Sequence, residues 1–146
     1  MVLSLLLTCM MSTNAQTLNK YKYVVIQHQE DAPKDIEERM AKEFPLLDFV
    51  LLSDEEISQL SEQELSLVLK AEYLCRQSGQ CLFKIKLINK DGVIEYEDEQ
   101  VAAAGWFTRK NDRQSAIKKI FKQLKKQSYK FQPLTNDSIT SEPICK

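Results

Sequence analysis

Apolar and polar side chains alternate through most of residues 65–101, the longest regular pattern in the chain. Residues 65–75 and 81–89 carry it on either side of Gln77-Ser78-Gly79, so they read as two antiparallel strands folded about that turn. With Ser78 as the pivot, Cys75 faces Cys81, Tyr73 faces Phe83, Ala71 faces Ile85 and Leu69 faces Leu87. These pairs share one face. The other takes Val68 with Ile88, Lys70 with Lys86, Glu72 with Lys84 and Leu74 with Leu82. One side is therefore core and the other mostly wet, as an antiparallel sheet allows. Asp91-Gly92 then suits the positive φ angles of a second tight hairpin. That loop pairs Leu87 with Tyr96, Lys86 with Glu97 and Lys84 with Glu99, whereas a slip of one residue would drive Glu95 and Glu97 into the core.

Upstream, residues 21–26 are aromatic and β-branched and predict a first strand. Asp31-Ala32-Pro33 opens a helix whose stripe is Ile36, Met40 and Phe44, and Pro45 is expected to stop it. Residues 46–52 form a second short strand, parallel to the first through a right-handed crossover. Ser53 and Glu56 fit a capping box at the head of an acidic stretch, residues 53–64. Residues 55–73 can also be scanned as one long helix, but the cross-strand matching from Leu65 onward favours the strand. Downstream, Asn111-Asp112 caps a last helix that buries Ala116, Ile117, Ile120, Phe121 and Leu124.

The first fifteen residues stand apart. Residues 2–11 are almost wholly apolar, and Thr13 and Ala15 occupy −3 and −1 of a cleavage site between Ala15 and Gln16. The run is far short of the ~20 residues that span a bilayer. Leu7-Thr8-Cys9 weakly resembles a lipobox, which leaves a lipoprotein anchored at Cys9 as a minor alternative. The domain plan is thus a signal peptide at 1–15, one domain at 16–131 and an irregular tail at 132–146.

Composition bounds the rest. A chain of 146 residues with 43% apolar and 28% charged positions suits one globular domain. Its net charge of −1 argues against a surface devoted to nucleic acid, and none is expected as a partner. The charge is nonetheless segregated. The last helix carries Lys118, Lys119, Lys122, Lys125 and Lys126, which read either as a solvated face balancing the acidic stretch and the strand glutamates or as a surface suited to anionic envelope polymers or lipid head groups.

Catalytic chemistry finds no motif. His28 is the one histidine, and the glycines Gly79, Gly92 and Gly105 are explained by turns and loops rather than a phosphate cradle. Glu95, Glu97 and Glu99 are the best carboxylate candidates, and the pattern places them on the wet face. No catalytic residue, metal site or cofactor is assigned. Beyond the leader, Cys75, Cys81 and Cys145 remain, and the Cys-x5-Cys spacing suits a hairpin disulfide rather than a redox or zinc motif. Asn136-Asp137-Ser138 matches a glycosylation sequon.

Three stretches carry a resemblance: Asn14-Ala15-Gln16, the opening Leu18-Asn19-Lys20-Tyr21-Lys22-Tyr23-Val24-Val25, and Arg113-Gln114-Ser115-Ala116-Ile117 at the head of the last helix. With the strand meander, they resemble a group of small uncharacterised exported proteins of Bacteroidota. The element order is also similar to the amino-terminal domain of TolB and to penicillin-binding-protein activator lipoproteins. The resemblance implies an exported periplasmic or secreted location and a fold, not a reaction. The expected architecture is a two-layer α+β sandwich: a mixed sheet, made of a βαβ unit and a meander, with two helices on one face. The expected role is a non-enzymatic cell-envelope accessory module with an envelope protein as partner. An anionic glycan- or lipid-binding protein is the first alternative, and a secreted hydrolase of unrecognised type the second.

Overall fold

The computed structural model describes residues 17–102 and 108–133. In chain order the elements are β1 (Tyr23–Ile26), α1 (Lys34–Leu46), β2 (Val50–Leu51), α2 (Asp54–Ser58), α3 (Glu62–Leu65), β3 (Val68–Ser78), β4 (Gln80–Ile88), β5 (Ile94–Ala102) and α4 (Arg109–Lys126). The strands form one sheet in the order β2-β1-β3-β4-β5. β1 lies parallel to both β2 and β3, and the remaining pairs are antiparallel. This is the expected mixed α+β sheet. α1 and α4 touch each other and cover its apolar face.

Alternation on the central hairpin is as the pattern required: Leu69, Ala71, Tyr73, Cys81, Phe83, Ile85 and Leu87 are all buried in one cluster. The register is not. Gly79 alone turns the chain, at φ 77°, and Ser78 pairs with Gln80. Cys75 therefore lies opposite Phe83, Tyr73 opposite Ile85 and Ala71 opposite Leu87. The wet face changes likewise, with Lys70 opposite Ile88, Glu72 opposite Lys86 and Leu74 opposite Lys84. A slide of two residues keeps every side chain on its own face, so burial alone cannot detect it. The left-handed residue decides, and glycine adopts that conformation at least cost. The second hairpin keeps its expected register from Leu87 with Tyr96 to Lys84 with Glu99, and a bulge follows at Leu87/Ile88.

Several boundaries also move. β1 begins at Tyr23 and β3 at Val68 rather than Leu65, because a second capping box, Ser61 with Glu64, winds residues Glu62–Leu65 into α3. The capping box at Ser53 and Glu56 forms as expected. No long helix spans 55–73. Pro45 does not end α1, which runs on to Leu46. The stop comes three residues later, where Asp48 is left-handed at φ 69°. Its N–H donates to Pro45 O and that of Phe49 to Phe44 O, the two bonds of a Schellman motif. The accompanying apolar contact is Phe49 edge-on to Phe44, with ring centroids 6.0 Å apart. β2 is left with Val50–Leu51. The cap of α4 is Thr108, whose side chain accepts from Asn111 N, so the helix starts earlier than Asn111-Asp112 implied.

Residues 52–67 return from β2 to β3 across β1. A right-handed connection in that direction runs over the face opposite α1. Val25 and Val68, which alternate away from the main cluster, are both 8% exposed there. At the other end of the chain, Tyr129 stacks on Phe49 with centroids 3.9 Å apart and donates its hydroxyl to Tyr21 O. Gln132 N donates to Asn19 O at 2.8 Å, so the start of the expected tail is stitched to the domain.

Phe44 is fully buried and packs edge-on against Phe121 at 4.9 Å as well as Phe49. Phe44→Ala should cost about 3–5 kcal/mol of unfolding free energy in urea titrations. Leu46→Ala, at a side chain 74% exposed, should leave the midpoint almost unmoved.

Candidate functional site

Successive residues of an α-helix are about 100° apart, so five of the six lysines of α4, all but Lys110, fall within an arc of about 120°. Lys118, Lys119, Lys122, Lys125 and Lys126 are all exposed, opposite the buried Ala116, Ile117, Ile120, Phe121 and Leu124. They span about 12 Å along the axis. The helix holds one acid, Asp112 in its first turn, so nothing on the stripe neutralises it. Lys119 Nζ donates to Val101 O at 3.0 Å and is tethered to the sheet edge. Among the described residues the other four have no ion-pair partner. Lys125 and Lys126 close the helix where its dipole favours cations. Chemically this is a compact cationic strip on a rigid support.

The second turn of α4 does different work. Arg113 grips Asp35 with both arms, Nη2 to Oδ1 at 2.6 Å and Nε to Oδ2 at 3.2 Å. Its Nη1 donates to Gln77 Oε1 at 3.0 Å, and Gln114 Nε2 donates to Asp35 Oδ2 at 3.0 Å. This clamp joins the first turn of α1 and the second turn of α4 to the end of β3. The two side chains of the ion pair are only 12% and 15% exposed. Desolvation works to raise the Asp35 pKa, but hydrogen bonds from Arg113 and Gln114 and the adjacent guanidinium outweigh it and hold the carboxyl below its ordinary value. Sequence reading missed this pair, whose members lie 78 positions apart.

Close to the clamp, Cys75 Sγ and Cys81 Sγ are 3.9 Å apart, on the same face but in a diagonal relation. Both are free thiols, since a disulfide requires ~2.05 Å. Burial first, then the neighbouring Cys81, pushes the Cys75 thiol up to about 12. Burial also raises Cys81. Neither is poised as a nucleophile.

A third cluster lies where β1 ends and α1 begins, beside a cleft of about 460 Å³. Glu37 accepts from Tyr73 Oη at 2.7 Å and from Gln29 N at 3.0 Å, and it pairs with His28 Nδ1 at 3.0 Å. Desolvation opposes ionisation of Glu37, yet the bonds from His28, Tyr73 and Gln29 lower its pKa. The same bond raises that of His28. His28 is exposed. Among the described residues no group of three or more His, Cys, Asp or Glu side chains could hold a metal ion. The expected cleavage pair, Ala15 and Gln16, lies outside the described residues, as do Cys9, Cys145 and the sequon at Asn136.

No protein-family model matches the sequence, and no curated protein matches it. The resemblance to exported Bacteroidota proteins thus rests on the quoted residues alone. Solved structures similar to the chain include a PelC variant from Paraburkholderia phytofirmans, described as a dodecamer. It is 14% identical with a TM-score of 0.48, over 72% of this chain and 89% of that one. A minor lipoprotein from Acinetobacter baumannii is also 14% identical, with a TM-score of 0.43 over 74% and 92%. At that distance the likeness says nothing of what this chain binds.

The clamp yields a pH prediction. A carboxyl whose folded pKa is depressed adds stability above its unfolded pKa and loses it as pH falls through the folded value. Asp35→Asn should therefore cost about 1.5–3 kcal/mol at neutral pH. The gap from wild type should close below about pH 4, near the ordinary aspartate value. Urea midpoints measured from pH 7 down to pH 2.5 check this, and a gap constant with pH would contradict the clamp.

Proposed function

We propose that the chain is a non-enzymatic accessory module of the cell envelope, and that it engages anionic surface chemistry through the lysine stripe of α4. The observation that carries this reading is the stripe itself: Lys118, Lys119, Lys122, Lys125 and Lys126 on one exposed face, with no acid among them. A helix buried on one side and cationic on the other attracts closely spaced phosphates or carboxylates, as on lipid head groups or acidic glycans. Export is supported by the apolar run at 2–11 with Thr13 and Ala15 behind it. The periplasmic or secreted compartment and an envelope protein partner belong to the same reading. The anion-binding alternative becomes the mechanism of the accessory role.

Export would also bring the chain to a compartment where disulfides persist, and Cys75 and Cys81 stand near enough to close one. The loop is short, so the chain-entropy gain is about 2 kcal/mol before strain. The diagonal placement adds strain, because a disulfide prefers Cβ atoms ~3.8 Å apart.

Two measurements test the reading. Replacing all five stripe lysines with glutamine should abolish cosedimentation with anionic vesicles or acidic glycan and leave the far-ultraviolet dichroism unchanged. Wild-type binding should also weaken steeply with added salt. Binding indifferent to both the substitutions and salt would end the proposal. For the thiols, non-reducing peptide mapping of exported protein should find Cys75 joined to Cys81. The double variant Cys75→Ser with Cys81→Ser should fold with a lower melting temperature, and a link from either cysteine to Cys145 would refute the pairing.

A further inference from the structure

The face of the meander turned away from α1 and α4 is built in rows. Antiparallel pairing sets Leu82 beside Val101, Lys84 beside Glu99, Lys86 beside Glu97, and Ile88 beside Ile94. All the β4 members alternate away from the buried Cys81, Phe83, Ile85 and Leu87. The two end rows are apolar and open, with Val101 40% and Ile94 45% exposed. Within the β4–β5 half of this face every cation stands on β4 and every anion on β5, while Glu72 of β3, which flanks Lys86 on its other side, is paired with Lys70 at 2.7 Å. Lys84 reaches diagonally to Glu97, while Lys86 and Glu99 make no ion pair among the described residues.

This layout is complementary to itself under one operation. A two-fold axis parallel to the strands, above the line midway between β4 and β5, lays β4 of each copy over β5 of the other. Leu82 then meets Val101 of the second copy, and Ile88 meets its Ile94. Lys84 meets Glu99 and Lys86 meets Glu97. An axis above β4 itself would stack lysine on lysine. One perpendicular to the strands, between the middle rows, would set Lys84 against Lys86 and Glu97 against Glu99. An axis midway between β3 and β4 would keep Lys86 on Glu72 but lay Arg76 on Leu82 and Lys70 on Ile88. Of these arrangements the first alone matches charge with charge and apolar with apolar, and it is isologous and closed. Sheets packed this way lie ~10 Å apart with strands about 30° from parallel. Desolvation of the charges offsets much of their attraction, so the apolar end rows supply affinity and the middle rows specify orientation.

We propose that this face is a homodimer interface and that its occupant is a second copy of the chain. It is independent of the lysine stripe, which lies on the opposite side of the sheet. A dimer formed this way would present its two stripes outward, one on each side.

The test is a charge swap read by sedimentation velocity. The purified wild-type chain should shift from monomer to dimer as its concentration rises. Lys84→Glu with Lys86→Glu should be monomeric, and so should Glu97→Lys with Glu99→Lys. Mixing the two double variants should restore dimers, and all four changes in one chain should dimerise as wild type does. A second measurement needs no variant: carbodiimide cross-linking of mixed nitrogen-15-labelled and unlabelled wild type. Mass spectrometry should find mixed-isotope links of Lys84 to Glu99 or of Lys86 to Glu97. A wild type that stays monomeric at every concentration would overturn the proposal. So would dimers that survive either single-sign reversal, a mixture that stays monomeric, or cross-links confined to one isotope.

Discussion

One-sided burial of the β3–β4 hairpin is the constraint on which the other elements depend. Leu69, Ala71, Tyr73, Phe83, Ile85 and Leu87 present a continuous apolar surface that water must not reach. Two helices suffice to cover it, and both carry an apolar stripe of matching length: Ile36, Met40 and Phe44 on α1, and Ile117, Ile120 and Leu124 on α4. A fully buried side chain of this kind contributes about 1.5–3 kcal/mol by leaving water. The Asp35–Arg113 clamp contributes less energy than that layer. What it adds is direction, since a bidentate guanidinium–carboxylate pair fixes where the two helix starts meet.

The sheet was readable because burial follows a period of two, and that period survives the correction to its register. Parity says which face a side chain takes. It does not say which residue it faces, because a slide of two restores the parity. The Asp91-Gly92 hairpin came out in register because a turn residue and two oppositely charged pairs, Lys86 with Glu97 and Lys84 with Glu99, agreed on one alignment. The first hairpin has a wet-face charge pair that could not discriminate, because Glu72 meets a lysine in either register, Lys84 as expected or Lys86 as found. Its register depended on which of Gln77, Ser78 and Gly79 adopts positive φ, and Gly79 does.

Helix ends followed a similar divide. The capping box at Ser53 is local, and its sequence signature is sufficient. The end of α1 is also local, but the left-handed position is filled by Asp48 rather than glycine. Pro45 therefore drew attention as the breaker, although in the last turn it forfeits only one hydrogen bond. Contacts between distant segments left no sequence signal: Arg113 with Asp35, Tyr129 with Phe49 and Tyr21, and Tyr73 with Glu37. Each joins residues that only the finished packing brings together.

The lysine stripe was readable for the opposite reason, since an exposed face needs only helical spacing and no partner. A net charge of −1 hides it. Positive charge is gathered on α4 and negative charge on residues 53–64, so two separate segments of one small domain carry unlike charge. At physiological ionic strength screening acts over about 8 Å. The stripe, about 12 Å long and built on one rigid helix, therefore presents a local cationic field rather than that of a neutral whole. The wet face of the meander differs again, because its cations and anions alternate within one strand spacing and cancel beyond it. Under the proposals above, what approaches α4 is selected by the sign of its charge, and what approaches the meander by the match of its rows.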